Sequence, residues 1–210
     1  MSVIPKLSSS LNQRDEIANQ ELALEIIQAE DHDAVKELIE NLGSSNKNIQ
    51  SDCIKVLYEI AEQKPELIAS YDEEFIALLQ SKNNRLVWGA MSALDGITNL
   101  YPDKIYDSLP KILDAADNGS VISKDHAVSI LIKLAGNKTY HDEASILLLG
   151  QLSSCPQNQL PMYAENALPV ISGELKTGLL QILQSRLDDF EKESKRKRVE
   201  KVILRLMRKE

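Results

Sequence analysis

The chain has 210 residues, 43% of them apolar, 27% charged and 4% aromatic, with a formal net charge of −8. This is a globular composition that excludes general disorder, and no stretch approaches the roughly 20 apolar residues of a membrane span. Residues 186 to 210 hold ten Lys or Arg against six Asp or Glu, so the remainder carries 14 basic and 26 acidic residues; such an acidic body is a poor match for nucleic acid or an anionic membrane surface.

The opening stretch "MSVIPKLSSSLNQRDE" has no basic region followed by an apolar run, so it is not read as a signal peptide. Cys53 and Cys155 lie far apart, with no CxxC pair. A reduced interior and a cytoplasmic location are therefore expected. The amphipathic run "RDEIANQELALEIIQ" predicts an N-terminal cap helix within residues 14–30.

From residue 31 an internal period takes over. "CIKVLYEIAEQKPELI" (53–68) lies over "AMSALDGITNLYPDKI" (90–105) without a gap, at an offset of 37 residues. Further steps of the same length relate Cys53, Ala90, Ala127 and Ala164; Val56, Ala93, Ile130 and Ala167; Leu57, Leu94, Leu131 and Leu168; and Ile60, Ile97, Leu134 and Ile171. These positions fall at i, i+3, i+4 and i+7, one stripe of a helix. A shorter amphipathic segment precedes each, aligning Leu38, Phe75, Ile112 and Leu149, and "GSSNKN", "KNN" and "NGS" break the pairs. Each unit thus reads as helix, turn, helix over residues 31–171, with Pro65 and Pro102 ending second helices.

Within this stripe Ala90 and Ala93 are small, as if another helix lies on them, and Gly89 and Gly96 suit close helix packing. Beyond the repeats, "GELKTGLLQILQSRLDDF" (173–190) reads as the first helix of a degenerate fifth unit. Val199, Val202, Ile203 and Leu206 form the stripe of a closing helix within residues 173–210, as a finite repeat array requires. The "KRKR" at 195–198 is read as that helix's solvated face.

The period, with "LVWGAMSALDGI" (86–97), resembles the HEAT or armadillo-like helical repeats and their second-helix pattern V-R-x-x-A-A-x-A-L-x-x-I. The pattern's Arg position is held here by Gln50, Val87, Lys124 and Pro161. The resemblance implies an all-α, right-handed α-α superhelix of antiparallel helix pairs, forming a single domain over residues 1–210. It also implies that the outer side of the second helices lines a concave surface.

On that side stands Trp88, about 160° around the helix from the apolar stripe at 100° per residue. Tyr58 and Ile132 occupy a neighbouring angle, with Lys55, Ser92, Asp95 and Ser129 as polar neighbours. An aromatic anchor with polar surroundings suits a protein partner, so the expected function is a non-catalytic interaction or scaffold module. Packing of Trp88 between units is the competing expectation. No GxxxxGK[ST], GxGxxG, GxSxG or HExxH pattern occurs, so neither cofactor nor metal is expected, and Asp31, His32 and Asp33 read as a helix start. The alternative is a nucleic-acid enzyme resembling the HEAT-like alkylpurine DNA glycosylases. That likeness implies a basic concave surface and a catalytic carboxylate, for which Asp95 is the available residue.

Overall fold

The computed structural model describes residues 2–208, and every regular element among them is helical. The helices gather into two compact units that meet in sequence at Ala127 and Val128. Both units build their cores from the repeated stripe.

The first unit holds α1 (Ile17–Ala29), α2 (His32–Glu40), α3 (Lys47–Gln63), α4 (Asp72–Leu78), α5 (Asn84–Ile97), α6 (Pro102–Asp107), α7 (Leu109–Asp117) and the start of α8 (Val121–Ala135). The helices α3, α5 and α8 begin 37 residues apart, at Lys47, Asn84 and Val121. Local hydrogen bonding fixes two of these starts. Asn46 caps α3 by accepting from Asn48 N at 3.0 Å, and Asn83 caps α5 by accepting from Arg85 N at 3.1 Å. Each capping Asn is itself held by a serine two residues earlier: Ser44 Oγ accepts from Asn46 N and Ser81 Oγ from Asn83 N. Asp31 caps α2 in the same manner, through Ala34 N at 2.9 Å.

Gln50, at the position where the repeat pattern has Arg, joins consecutive turns. Its Nε2 donates to Ser44 O at 2.7 Å, and its Oε1 accepts from Asn83 Nδ2 at 3.2 Å. The departure from the pattern is therefore filled by a group that bonds its own turn and reaches the turn of the next repeat.

Cys53, Val56, Leu57, Ile60, Ala90, Ala93, Leu94 and Ile97 are completely buried. Each large apolar side chain among them contributes roughly 1.5–3 kcal/mol by leaving water. The small residues serve close packing of α5 on both α3 and α4. A β-carbon on Gly89 would meet Ile54 Cγ1 at 2.4 Å, and one on Gly96 would meet Ala61 O at 2.7 Å. Pro65 and Pro102 do more than end helices. Each opens a further short element, a 3-10 turn at Pro65–Leu67 and α6 at Pro102–Asp107, because a proline at the first helical position forfeits no intrahelical bond. A strict two-helix unit is thus replaced by one with a third, short helix.

The segment before α1 is also ordered and partly buried, with Val3 and Leu7 in the core. Ser8 N donates to Asn19 Oδ1 at 2.9 Å, Asn19 Nδ2 to Asp52 Oδ1 at 2.8 Å, and Ser9 N to Asp52 Oδ2 at 2.8 Å. This polar chain fastens the segment to α1 and α3.

The second unit contains the rest of α8, α9 (His141–Ser154), α10 (Leu160–Ala167), α11 (Leu175–Ser185) and α12 (Glu193–Met207). Ile130, Leu131, Ala164 and Ala167 are completely buried, as the repeat requires. Two positions depart from it. Leu168, the residue that follows α10, is only half-buried, and the core position expected for Leu149 is taken by Leu148. Leu149 instead turns toward α11, where it would meet a β-carbon on Gly178 at 3.2 Å. The closing helix α12 buries Val199, Val202 and Ile203 against α10 and α11. Its basic residues are partly paired: Arg198 with Glu165 at 2.5 Å, Arg196 with Glu200 at 3.1 Å, and Lys195 with Asn158.

Candidate interaction site

Trp88 projects from α5 in the first unit and is half-buried. It forms a ridge between two depressions. One, of about 20 Å³, is walled by Ile54, Lys55 and Tyr58 of α3, with Arg85 and Glu16 at its edge. The other, of about 310 Å³, is walled by Asn84 and Val87 and by Asn118, Gly119, Ser120 and Ser123 around the start of α8. Neither full burial between units nor full exposure describes this indole. One part packs and another remains open to solvent.

Lys55 is 8% exposed and lies with its ammonium 4.6 Å above the Tyr58 ring. Burial works against its charge, yet bonding to Glu59, Tyr58 and Glu16 raises its pKa above the ordinary lysine value. Burial likewise pushes the Tyr58 hydroxyl up, against the opposing effect of Lys55. Glu16 sits 3.2 Å from Lys55 Nζ and 3.9 Å from Arg85 Nη1, so one carboxylate spans two cations beside the indole.

Of the residues singled out in the sequence, Trp88, Tyr58 and Lys55 therefore share one depression. Ser92 is 8% exposed and turned into the packing of α5, so it offers no open polar group. Asp95 is partly buried and accepts from His126 Nδ1 at 2.9 Å or pairs with it when the ring is protonated. Ser129 and Ile132 stand on the part of α8 that belongs to the second unit and are half-buried there. His141 bonds Ala135 O at 2.7 Å and Ser172 Oγ at 2.9 Å. His126 and His141 are thus engaged singly, and among the described residues no three metal-ligating side chains converge.

Sequence reading misses Arg85, Ile54 and Glu16. Arg85 lies one turn before Trp88, so helical spacing carried a signal for it; Glu16, in a segment without period, carried none.

No family model matches the sequence, and no curated protein matches it. Solved structures do. A designed armadillo repeat protein in complex with the peptide (KR)4 is similar at 19% identity, covering 99% of this chain and 100% of that one with a TM-score of 0.68. The fold is a HEAT/armadillo-like helical repeat. Computationally designed armadillo repeat proteins for modular peptide recognition match this repeat fold at 18% identity over 98% of both chains, TM-score 0.67. An engineered protein matches at 21% identity over 98% of this chain and 96% of its own, TM-score 0.67. A repeat solenoid of this kind is typical of protein-interaction scaffolds.

Proposed function

We propose that the chain is a non-catalytic interaction module that binds an extended segment of a protein partner across α3 and α5, with Trp88 as the anchor. The observation that carries this reading is the Trp88 ridge, a half-open indole with a depression on either side. Large aromatic side chains beside partly formed pockets dominate interface energetics, and helices fixed by capped turns present them at little entropic cost. Two of the similar structures are described as binding or recognising peptides, which supports the same class of partner here. Tyr58 and Lys55 would form the floor beside the anchor. The cytoplasm is the proposed location.

The nucleic-acid alternative lacks comparable support. The Asp95 carboxylate is already engaged by His126, and the acidic body repels a polyanion.

The test is an immobilised peptide array probed with the wild-type chain and with Trp88→Ala, whose helical content is checked by circular dichroism. Peptides that bind the wild type should lose at least tenfold in affinity with the variant, as expected for a central aromatic anchor. Equal binding by both chains would overturn the assignment of Trp88.

A further inference from the structure

Beside the Trp88 depressions, the first unit carries a larger cleft of about 590 Å³. It lies between the segment before α1 and the N-terminal turns of α3 and α5. Arg14, Lys47 and Arg85 supply its cations, and Asp15, Glu16 and Asp52 its carboxylates.

The formal charges balance, but the carboxylates are committed and the cations are not. Asp52 accepts from Asn19 Nδ2 and Ser9 N, Asp15 accepts from Ile17 N, and Glu16 faces Lys55 at 3.2 Å. Arg85 has only the distant 3.9 Å contact with Glu16. Among the described residues the side chains of Arg14 and Lys47 have no ionic or hydrogen-bonded partner.

A second feature is independent of charge. Ser8 lines the cleft at 3% exposure, and its Oγ has no hydrogen-bond partner; the buried Oγ of Ser9, also in the lining, has none either. A buried hydroxyl without a partner carries a desolvation cost of about 1–3 kcal/mol, which a side-chain rotation bringing either Oγ to the cleft surface would let an acceptor there relieve. Serine O–H groups, unpaired guanidinium and ammonium groups, and helix N-termini all favour an anionic acceptor. The capping asparagines use one N–H of each helix, leaving the side chains to make the principal contacts.

We propose that this cleft binds a phosphate-type oxyanion, with Arg14 and Lys47 providing charge, Arg85 flanking it, and Ser8 and Ser9 donating their hydroxyls. Two freely available cations match a single phosphate group. Duplex binding typically neutralises several phosphates at once, so nucleic acid is the poorer fit. The cleft shares Arg85 and Glu16 with the depression beside Trp88, but Arg14, Lys47, Ser8 and Ser9 lie outside that depression, so the proposal stands whether or not the anchor binds a peptide.

The experiment is titration of the full chain at fixed ionic strength, followed through its amide resonances. The probes are inorganic phosphate and an acetylated, amidated Gly-phosphoserine-Gly tripeptide, with chloride as control. Saturable shifts are expected at Ser8, Ser9, Lys47 and Asn48. In the Arg14→Ala, Lys47→Ala double variant the dissociation constant should rise at least tenfold, whereas Lys138→Ala, at an exposed lysine outside the cleft, should leave it unchanged. Ser8→Ala should weaken binding without altering the fold, since its hydroxyl bonds nothing in the free protein. Tighter binding of the tripeptide than of inorganic phosphate would identify a phosphorylated side chain as the source, and the reverse order the free ion. The proposal is overturned if no shift saturates, if chloride gives the same shifts, or if the double variant binds both probes unchanged. Tighter capture of duplex DNA than of either probe, lost in the double variant, would overturn it in favour of nucleic acid.

Discussion

Asn19, fully buried on α1, donates its side-chain amide to the Asp52 carboxylate on α3 across 2.8 Å, and the same two side chains hold the backbone of Ser8 and Ser9. Truncating either residue leaves the atom that bonded it on the other without that partner inside the unit. Asn19→Ala should destabilise the chain by about 1–3 kcal/mol, the cost of a buried polar group left without its partner. Hydrogen exchange at the Ser8 amide should accelerate in that variant, because its acceptor is the deleted Oδ1. Unchanged exchange would show that the Asn19 bond does not hold the segment in place.

Two glycines in helices should respond in opposite directions to Ala. An alanine β-carbon at position 96 would lie 2.7 Å from the backbone oxygen of Ala61, whereas one at position 150 would meet nothing within 4 Å among the described residues. Overpacking costs typically 1–3 kcal/mol, set against about 1 kcal/mol gained in helix propensity. Gly96→Ala should therefore lose up to about 2 kcal/mol, and Gly150→Ala should gain up to about 1 kcal/mol. Urea unfolding of the two variants, followed by circular dichroism, checks the signs.

The Glu165–Arg198 pair gives α12 a pH dependence. The hydrogen bond and charge of Arg198 hold the Glu165 carboxyl below its ordinary value of 4.5, against a smaller effect of burial. A depressed folded-state pKa stabilises the fold above the unfolded value and loses that stabilisation as pH falls through the folded one. Arg198→Ala should thus be less stable than wild type from neutrality down to about pH 5, with the difference vanishing at lower pH. Because both side chains are more than a third exposed, the difference should stay below about 1 kcal/mol.

Cys53 is completely buried, and that burial pushes its thiol up to about 12. Burial raises Cys155 as well, although Arg186 opposes it. A thiol-specific disulfide reagent at pH 8 should therefore label neither in the folded chain within the time that it labels both in denaturant. Rapid labelling of the native protein would contradict the packing around Cys53.

Much of this fold is written in the spacing of its apolar residues. A stripe recurring every 37 residues must bury one face of each second helix, and Cys53, Ala90, Ala127 and Ala164 do lie in the core. What periodicity cannot carry is any contact made by an aperiodic stretch. Glu16 reaches Lys55 and Arg85 from a segment with no repeat equivalent, and Gln50 looks like a departure from the pattern until its two turn contacts are visible. At Leu148 and Leu149 the offset holds to within one residue, but on a helix one residue is a rotation of 100°, enough to exchange core for flank. For the candidate site, the helix angle of Trp88 groups it with Tyr58 and Lys55, and the three line one depression. It also selected Ser92, whose burial depends on the neighbours of α5 rather than on its position around the axis.

The fit of Gly89 against Ile54 has a consequence for how the chain reaches its native arrangement. Repeats of nearly equal backbone can in principle mispair, one second helix docking where its neighbour belongs. One unit earlier, the position of Gly89 is held by Asp52 and that of Gly96 by Glu59. A helix carrying those side chains has no room to lie on Ile54 and Ala61 as α5 does. The two glycines thus act as keys that give the units a fixed order, and grafting bulk onto them should raise the population of misassembled chains during refolding.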